Sequence, residues 1–279
     1  MIEAKQIKEL MKNSTSKLFK ASCNDNLDRI IRLKRNGNNS DWYYSSKRLF
    51  SSYLAGKLAN EFGINSPSVT LVKVNIDNEL YMALKTEKEW FDKECNIGMA
   101  SEYIELTDRS KSFKDNNEYI SFLKSEKDCV EQIYGMKVFL HWIYLEDYGK
   151  NENLQFNQQN KSFFIDFDMA FNNSSNNNIW SDLQDYSWIK IQTDPAKYFK
   201  GFTDDTKPFE KWLDKLLKLD YARIDSNIGQ LPECWYLPMD YRRNILDFLF
   251  SNREKFITEF KRAIEMKIKI RERINKRTP

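Results

Sequence analysis

The chain has 279 residues, 41% hydrophobic and 14% aromatic, a composition that excludes disorder and allows one large domain or two joined lobes. Its 44 Lys and Arg against 41 Asp and Glu leave a net charge of +3 with both signs interspersed. That balance does not point to a nucleic-acid or anionic-membrane surface, which needs a concentrated basic face; only residues 261–277 are locally basic. No apolar run is long enough to span a bilayer, and the first residues lack a signal-peptide core, so the expectation is a cytoplasmic protein with no membrane contact.

Residues 2–12 read as a short helix or an edge strand. Strand-like runs follow at 17–22 and 29–34, joined by turn-rich residues 23–28, so a β-hairpin is expected. Residues 36–40 read as a loop. Over 45–62, Leu49, Phe50, Tyr53, Leu54, Leu58 and Phe62 recur at helical spacing, and Gly63 supplies the stop. Alternation at 69–74 and 80–84 around residues 75–78 predicts a second hairpin, and 99–105 a last strand. Beyond about residue 108 the pattern turns helical at 117–125 and 128–145. Short strands at 154–156 and 162–165 interrupt it, and helices resume at 208–219, 240–250 and 253–275. The Asn/Ser-rich residues 172–178 read as a surface loop. The expected fold class is therefore α+β, with an antiparallel sheet and a packed helix in residues 1–105 and a mainly helical part in 106–279.

The four cysteines (Cys23, Cys95, Cys129, Cys234) are scattered without metal-knuckle spacing, which favours free, mostly buried thiols over a zinc site. The single histidine, His141, lies in an apolar run and reads as a core or capping residue. Trp180, Trp188, Trp212 and Trp235 read as packing residues.

Chemistry is concentrated in two stretches, Glu146-Asp-Tyr-Gly-Lys-Asn-Glu-Asn-Leu154 and Phe163-Phe-Ile-Asp-Phe-Asp-Met-Ala-Phe171. A helix ends in a polar loop carrying carboxylates and asparagines, and a short hairpin then delivers Asp166. That layout suits phosphoryl transfer, in which one carboxylate orients an acceptor hydroxyl while an Asn and an Asp hold Mg²⁺ against the phosphates. An aspartate framed by Ile165 and Phe167 is expected to be partly buried, and burial without a partner is costly, so a metal or a basic group should accompany it. A structural helix cap is the competing role for Asp166.

These stretches, with others in the same order along the chain, resemble the short stand-alone members of the HipA-like kinases, which share the protein-kinase and phosphoinositide-kinase fold. The matching segments are Asn13-Ser-Thr-Ser-Lys17, Ile30-Ile-Arg-Leu-Lys-Arg-Asn36, Leu54-Ala-Gly-Lys-Leu-Ala59 with Phe62-Gly-Ile-Asn-Ser-Pro67, Lys150-Asn-Glu-Asn-Leu154, Ile165-Asp-Phe-Asp-Met-Ala-Phe171 and Leu231-Pro-Glu-Cys-Trp235. The resemblance implies a bilobal kinase-like fold binding ATP and Mg²⁺ between its lobes. It implies transfer of the γ-phosphoryl to a Ser or Thr hydroxyl of a protein substrate, a protein regulatory partner and a toxin-like role.

By the same resemblance, Ser14, Thr15 and Ser16 would cover the phosphates, and Glu102 and Tyr103 would lie near the adenine. Arg32 or Lys34, placed on one strand face by alternation, would contact the nucleotide phosphates. Asn151 and Asp166 would bind the metal, and Glu146 or Asp147 would orient the acceptor. The chain departs from the family pattern at four places. Residues 13–17 contain no glycine, Glu146 stands at the ungapped position of the catalytic aspartate, Ser52 occupies the place of a helix glutamate, and Asp168 replaces a glycine. The rival readings are a catalytically degenerate nucleotide-binding or protein-interaction module, and a partner-binding protein that reuses the architecture.

Overall fold

The computed structural model describes residues 1–11, 18–37, 41–75, 77, 80, 82, 89–91, 95–145, 151–168, 170–171, 202, 205–237 and 239–275, with backbone alone at 35–37, 41–45, 89–91, 151 and 275. The loop expected at 172–178, Trp180 and Trp188 lie outside them.

The first half of the chain builds a sheet. β1 (Ile2–Leu10), β2 (Phe19–Cys23), β3 (Asp28–Arg32), β5 (Val69–Lys73) and β7 (Ile97–Glu102) hydrogen-bond in the order β1-β2-β3-β7-β5. The sheet closes on itself because β1 pairs antiparallel with β2 along one edge and parallel with β5 along the other, where Ile2 faces Val72. Of the two readings of residues 2–12, the strand is the one observed, over Ile2–Leu10. The β2–β3 hairpin is as expected, with Phe19 opposite Ile31 and Asn26 taking the left-handed conformation (φ 63°) that asparagine tolerates in a turn. Strict alternation on β2 puts Phe19, Ala21 and Cys23 inside the closed sheet with Ile31, Val72 and Ala100.

Two sequence expectations fail here. In place of a hairpin with residues 80–84, the antiparallel partner of β5 among the described residues is β7, with Val69 opposite Ser101. Leu80 is helical and its amide donates to Asp77 Oδ1. The 36–40 region is also not wholly loop, since β4 (Arg35–Gly37) pairs with β6 (Glu89–Phe91) about 55 residues later. Alternation reports a half-buried strand but not which strand it meets.

Helix α1 (Asp41–Phe62) lies against the sheet. Leu49, Phe50, Tyr53, Leu54, Leu58 and Phe62 are buried as their spacing predicts, and Gly63 ends the helix at φ 86°. On β7, Gly98 backs onto β3 so closely that a Cβ would stand 2.5 Å from the Arg32 carbonyl oxygen. A backbone atom cannot swing away, so Gly98→Ala is expected to cost about 1–3 kcal/mol and to shift the strand that carries Arg32. An unchanged thermal melting curve for this variant would refute the contact.

The second half is mainly helical: α2 (Asn116–Ser125), α3 (Lys127–Trp142), α4 (Lys207–Leu217), α5 (Tyr221–Gly229), α6 (Met239–Ser251) and α7 (Arg253–Asn275). Asp115 caps α2 by accepting from the Asn117 and Glu118 amides, while Glu118 accepts from the Lys114 amide. α3 is buried on every side in its last two turns, as the central helix of an all-helical layer must be. His141 sits there as a core residue, 3% exposed, with Nδ1 on the Lys137 carbonyl and its ring edge-on to Phe260. α5 escapes the sequence reading because nine residues offer only Ile224 and Ile228 as periodic apolar positions. The Asp220 cap, whose carboxylate accepts from the Ala222 and Arg223 amides, was the usable signal.

Three links join the sheet to the helical layer. The Asn65 carbonyl, just past α1, accepts from the Phe164 amide, and the Asn65 amide donates to Gln132 Oε1 on α3. Trp235 is fully buried against Tyr53 and its Nε1 donates to the Ile97 carbonyl on β7. Beside it, Cys234 forms a disulfide with Cys95, with Cα atoms 5.3 Å apart. This corrects the expectation of four free thiols: only Cys23 and Cys129 are free, and both are buried. Sequence spacing could not disclose the bridge, because 139 residues separate its ends and the fold alone brings them together.

Candidate active site in the cleft

A cavity of about 530 Å³ opens between β3, β5 and β7, helix α1, and the hairpin formed by β8 (Leu154–Phe156) and β9 (Ser162–Phe164). Its size and mixed lining suit a cofactor-sized ligand. The strand positions follow from ladder register. In β8–β9, Leu154 faces Phe164, and the Ile165 amide continues the ladder by donating to the Asn153 carbonyl. Residues 151–153 form a short 3-10 turn just before β8, so this bond ties the end of that turn, Asn153, to the end of β9.

Asp166 follows one residue later with φ 66°, the left-handed region that Asp and Asn tolerate better than other side-chain-bearing residues. The reversal splits the neighbours. Phe167 turns into the core, edge-on to Phe139, while Asp166 opens onto the cavity. Asp166 is exposed at the cavity, which corrects the expectation that its apolar neighbours would partly bury it. Loss of bulk water pushes its pKa up, and the Asp168 carboxylate pushes it further; Arg32 and Arg48 act in the opposite sense without overcoming those effects.

Asp168 itself is 3% exposed. It accepts from Arg32 Nη1 at 3.1 Å and from Arg48 Nη2, both on the same Oδ2. Arg32 Nη1 also donates to Ser52 Oγ at 3.1 Å. Both arginines and Ser52 line the cavity.

The sequence left Arg32 and Lys34 as alternatives on one face, and the structure separates them. β3 ends at Arg32, so alternation no longer governs Lys34. Arg32 faces the cavity, whereas Lys34 is buried with Nζ on the Cys234 carbonyl (3.1 Å) and over the Tyr236 ring. Glu102 and Tyr103 lie together on the cavity wall where β7 runs out. Ser68 Oγ donates to the Glu102 carboxylate, the Tyr103 amide donates to the Asp28 carbonyl, and Lys20 Nζ covers the outer face of the Tyr103 ring. Ser14, Thr15, Ser16, Glu146 and Asp147 lie outside the described residues, as does the Asn151 side chain.

Arg48 and the paired role of Asp168 are what sequence reasoning missed. Arg48 stands four residues before Ser52 on α1, hence on the same helix face, and that spacing was a readable signal. No group of three or more His, Cys, Asp or Glu converges to hold a metal among the described residues. The donor set nevertheless fits a hard divalent cation. Mg²⁺ takes one or two carboxylates and keeps its remaining positions for phosphate and water, and Asp166 is an exposed carboxylate lining an open cavity near the Asp168 carboxylate.

A sheet with a packed helix, a mainly helical second half and a cavity between them constitute a bilobal kinase-like α+β fold. Solved structures bear this out. The chain is similar to a Helicobacter pylori proinflammatory kinase, CtkA, with a TM-score of 0.58 and 15% identity over 93% of this chain and 96% of that one. It is also similar to the Golgi casein kinase with Mn/ADP bound, with a TM-score of 0.52 and 10% identity over 96% of this chain and 75% of that one. At these identities the likeness is one of fold. No family model matches the sequence, and no curated protein matches it.

Proposed function

We propose that the chain is an ATP- and Mg²⁺-dependent protein kinase of the HipA-like type, transferring a γ-phosphoryl group to a Ser or Thr hydroxyl. The observation that carries this reading is Asp166, a strained-backbone carboxylate opening onto a cofactor-sized cavity opposite Arg32. The Mn/ADP bound to the Golgi casein kinase, whose fold this chain shares, supports a nucleotide and a divalent cation as its ligands.

In this reading Asp166 and Asn151 hold the cation, which supplies charge neutralisation between the phosphates. Arg32 contacts the phosphates, the 14–16 hydroxyls of Ser14, Thr15 and Ser16 cover them, and Glu102 and Tyr103 border the adenine. Glu146 or Asp147 orients the acceptor hydroxyl. Residues 1–105 then form the nucleotide-covering lobe and 106–279 the catalytic lobe. A protein substrate or regulatory partner, a toxin-like role and a cytoplasmic location belong to the same proposal. No helix of the described residues is long and apolar enough to cross a membrane.

A second reading, a nucleotide-binding module that has lost transfer, is favoured by one observation: Arg32 has the Ser52 hydroxyl where a helix carboxylate would otherwise meet it. One measurement tests both readings and a second separates them. ATP with Mg²⁺ at about one hundred times Kd should stabilise the protein by about 2.7 kcal/mol in either case. Labelled phosphate should enter the protein itself or a test substrate in the first case alone. An unchanged melting temperature with ATP would defeat both.

A further inference from the structure

We infer that Asp168 is a positioning residue whose buried carboxylate holds Arg32 and Arg48 side by side, forming a two-guanidinium seat for the phosphates of the nucleotide. The inference rests on the nucleotide reading above and adds Arg48 and Asp168 to it. Three elements meet at one oxygen. Arg32 comes from β3, Arg48 from α1 and Asp168 from the turn after β9, and both guanidiniums donate to Asp168 Oδ2.

Two like charges this close repel unless an anion lies between them, so without Asp168 the arginines would separate. Asp168 is 3% exposed, whereas the side chains of Arg32 and Arg48 keep 16% and 30% of their surface open and line the cavity. The carboxylate is therefore the hidden anchor and the guanidiniums are the presented groups. Arg32 Nε is buried and has no acceptor among the described residues. A buried donor without a partner beside a cavity marks a place for an acceptor from a ligand. Guanidinium forks match phosphate oxygens in pairs, and two of them at fixed spacing favour a polyphosphate over a neutral ligand. Ser52 adds a second bond to Arg32 Nη1, so the seat is set from the helix as well as from the turn.

Calorimetric titration of adenosine and ATP into the full chain, without added metal and with Mg²⁺, tests the assignment. Asp168→Asn is expected to weaken ATP on the order of tenfold or more, as loss of charge-assisted hydrogen bonds does, while adenosine affinity stays within about twofold. Asp168→Glu is expected to restore most of the ATP affinity. Should Asp168→Asn not fold, Arg48→Gln carries the test, since the Arg48 side chain is partly open and Asp168 keeps Arg32 as its partner when it is shortened. It too should lose affinity for ATP and not for adenosine. Equal losses for the two ligands, or no loss for either, would overturn the positioning role. A wild-type protein that binds neither ligand would instead overturn the nucleotide reading, and the seat with it.

Discussion

Asp166→Asn is expected to abolish phosphoryl transfer and the Mg²⁺-dependent part of nucleotide stabilisation while leaving the fold intact. Asparagine is the informative replacement because it keeps the shape and, like aspartate, tolerates the φ of 66° found here; alanine would add backbone strain to the loss of charge. Surrounding protein and the adjacent Asp168 carboxylate both disfavour the charged form of Asp166. Neutralising it removes that repulsion, and the melting temperature without ligand should hold or rise. The loss appears only when nucleotide and cation are added. Metal-assisted stabilisation of transferring phosphate is worth several kcal/mol, so transfer should fall by about a thousandfold or more. If Asp166→Asn keeps wild-type transfer with Mg²⁺, Asp166 is no metal ligand. If it lowers the ligand-free melting temperature sharply, Asp166 is a structural cap, the competing role its sequence context allowed.

Removing the Cys95–Cys234 bridge carries the second large effect. The bond ties the chain just before β7 to the segment just before α6, closing a loop with a sequence separation of 139. Loss of such a bond typically costs about 2–5 kcal/mol, and the chain-entropy account puts a loop this long near the upper end. For a protein of this size that is a fall in melting temperature on the order of 5–10 °C, for Cys95→Ser and for the reduced wild type alike. The bridge also neighbours two hydrogen bonds, Lys34 Nζ to the Cys234 carbonyl and Trp235 Nε1 to the Ile97 carbonyl, so its loss should loosen the join between the sheet and the helical layer. Thiol titration in denaturant should find two reactive thiols, Cys23 and Cys129, before reduction and four after it. Four thiols before reduction would refute the bridge. Disulfides are rare in a reducing cytosol, so this bond and the proposed cytoplasmic location pull in opposite directions. Alkylating the thiols at the moment of cell lysis would decide which holds in the cell.

Much of the architecture was legible because it is local. The β2–β3 hairpin is a turn between two alternating runs, α1 is one periodic apolar face closed by Gly63, and the 154–165 hairpin is short enough to announce itself. The failures are mostly non-local. Residues 80–84 have strand-like alternation, yet β5 had already found β7. β4 and β6 are three residues each and meet across a long excursion of chain. Lys34 was assigned a strand face that the strand does not reach.

The same division runs through the site. By itself the sequence determined the residue types that phosphoryl chemistry needs and their order along the chain: the apolar strand running into Asp166, the basic residue on β3, the periodic helix that follows. These are local properties, read from spacing and side-chain chemistry. Tertiary structure alone decided which of Arg32 and Lys34 faces the cavity, that Arg48 joins Arg32 on Asp168, and that Cys95 meets Cys234. The pairings of Arg48 and Arg32 with Asp168 and of Cys95 with Cys234 span 120 to 139 residues of chain, where only folding, and no spacing rule, sets the distance.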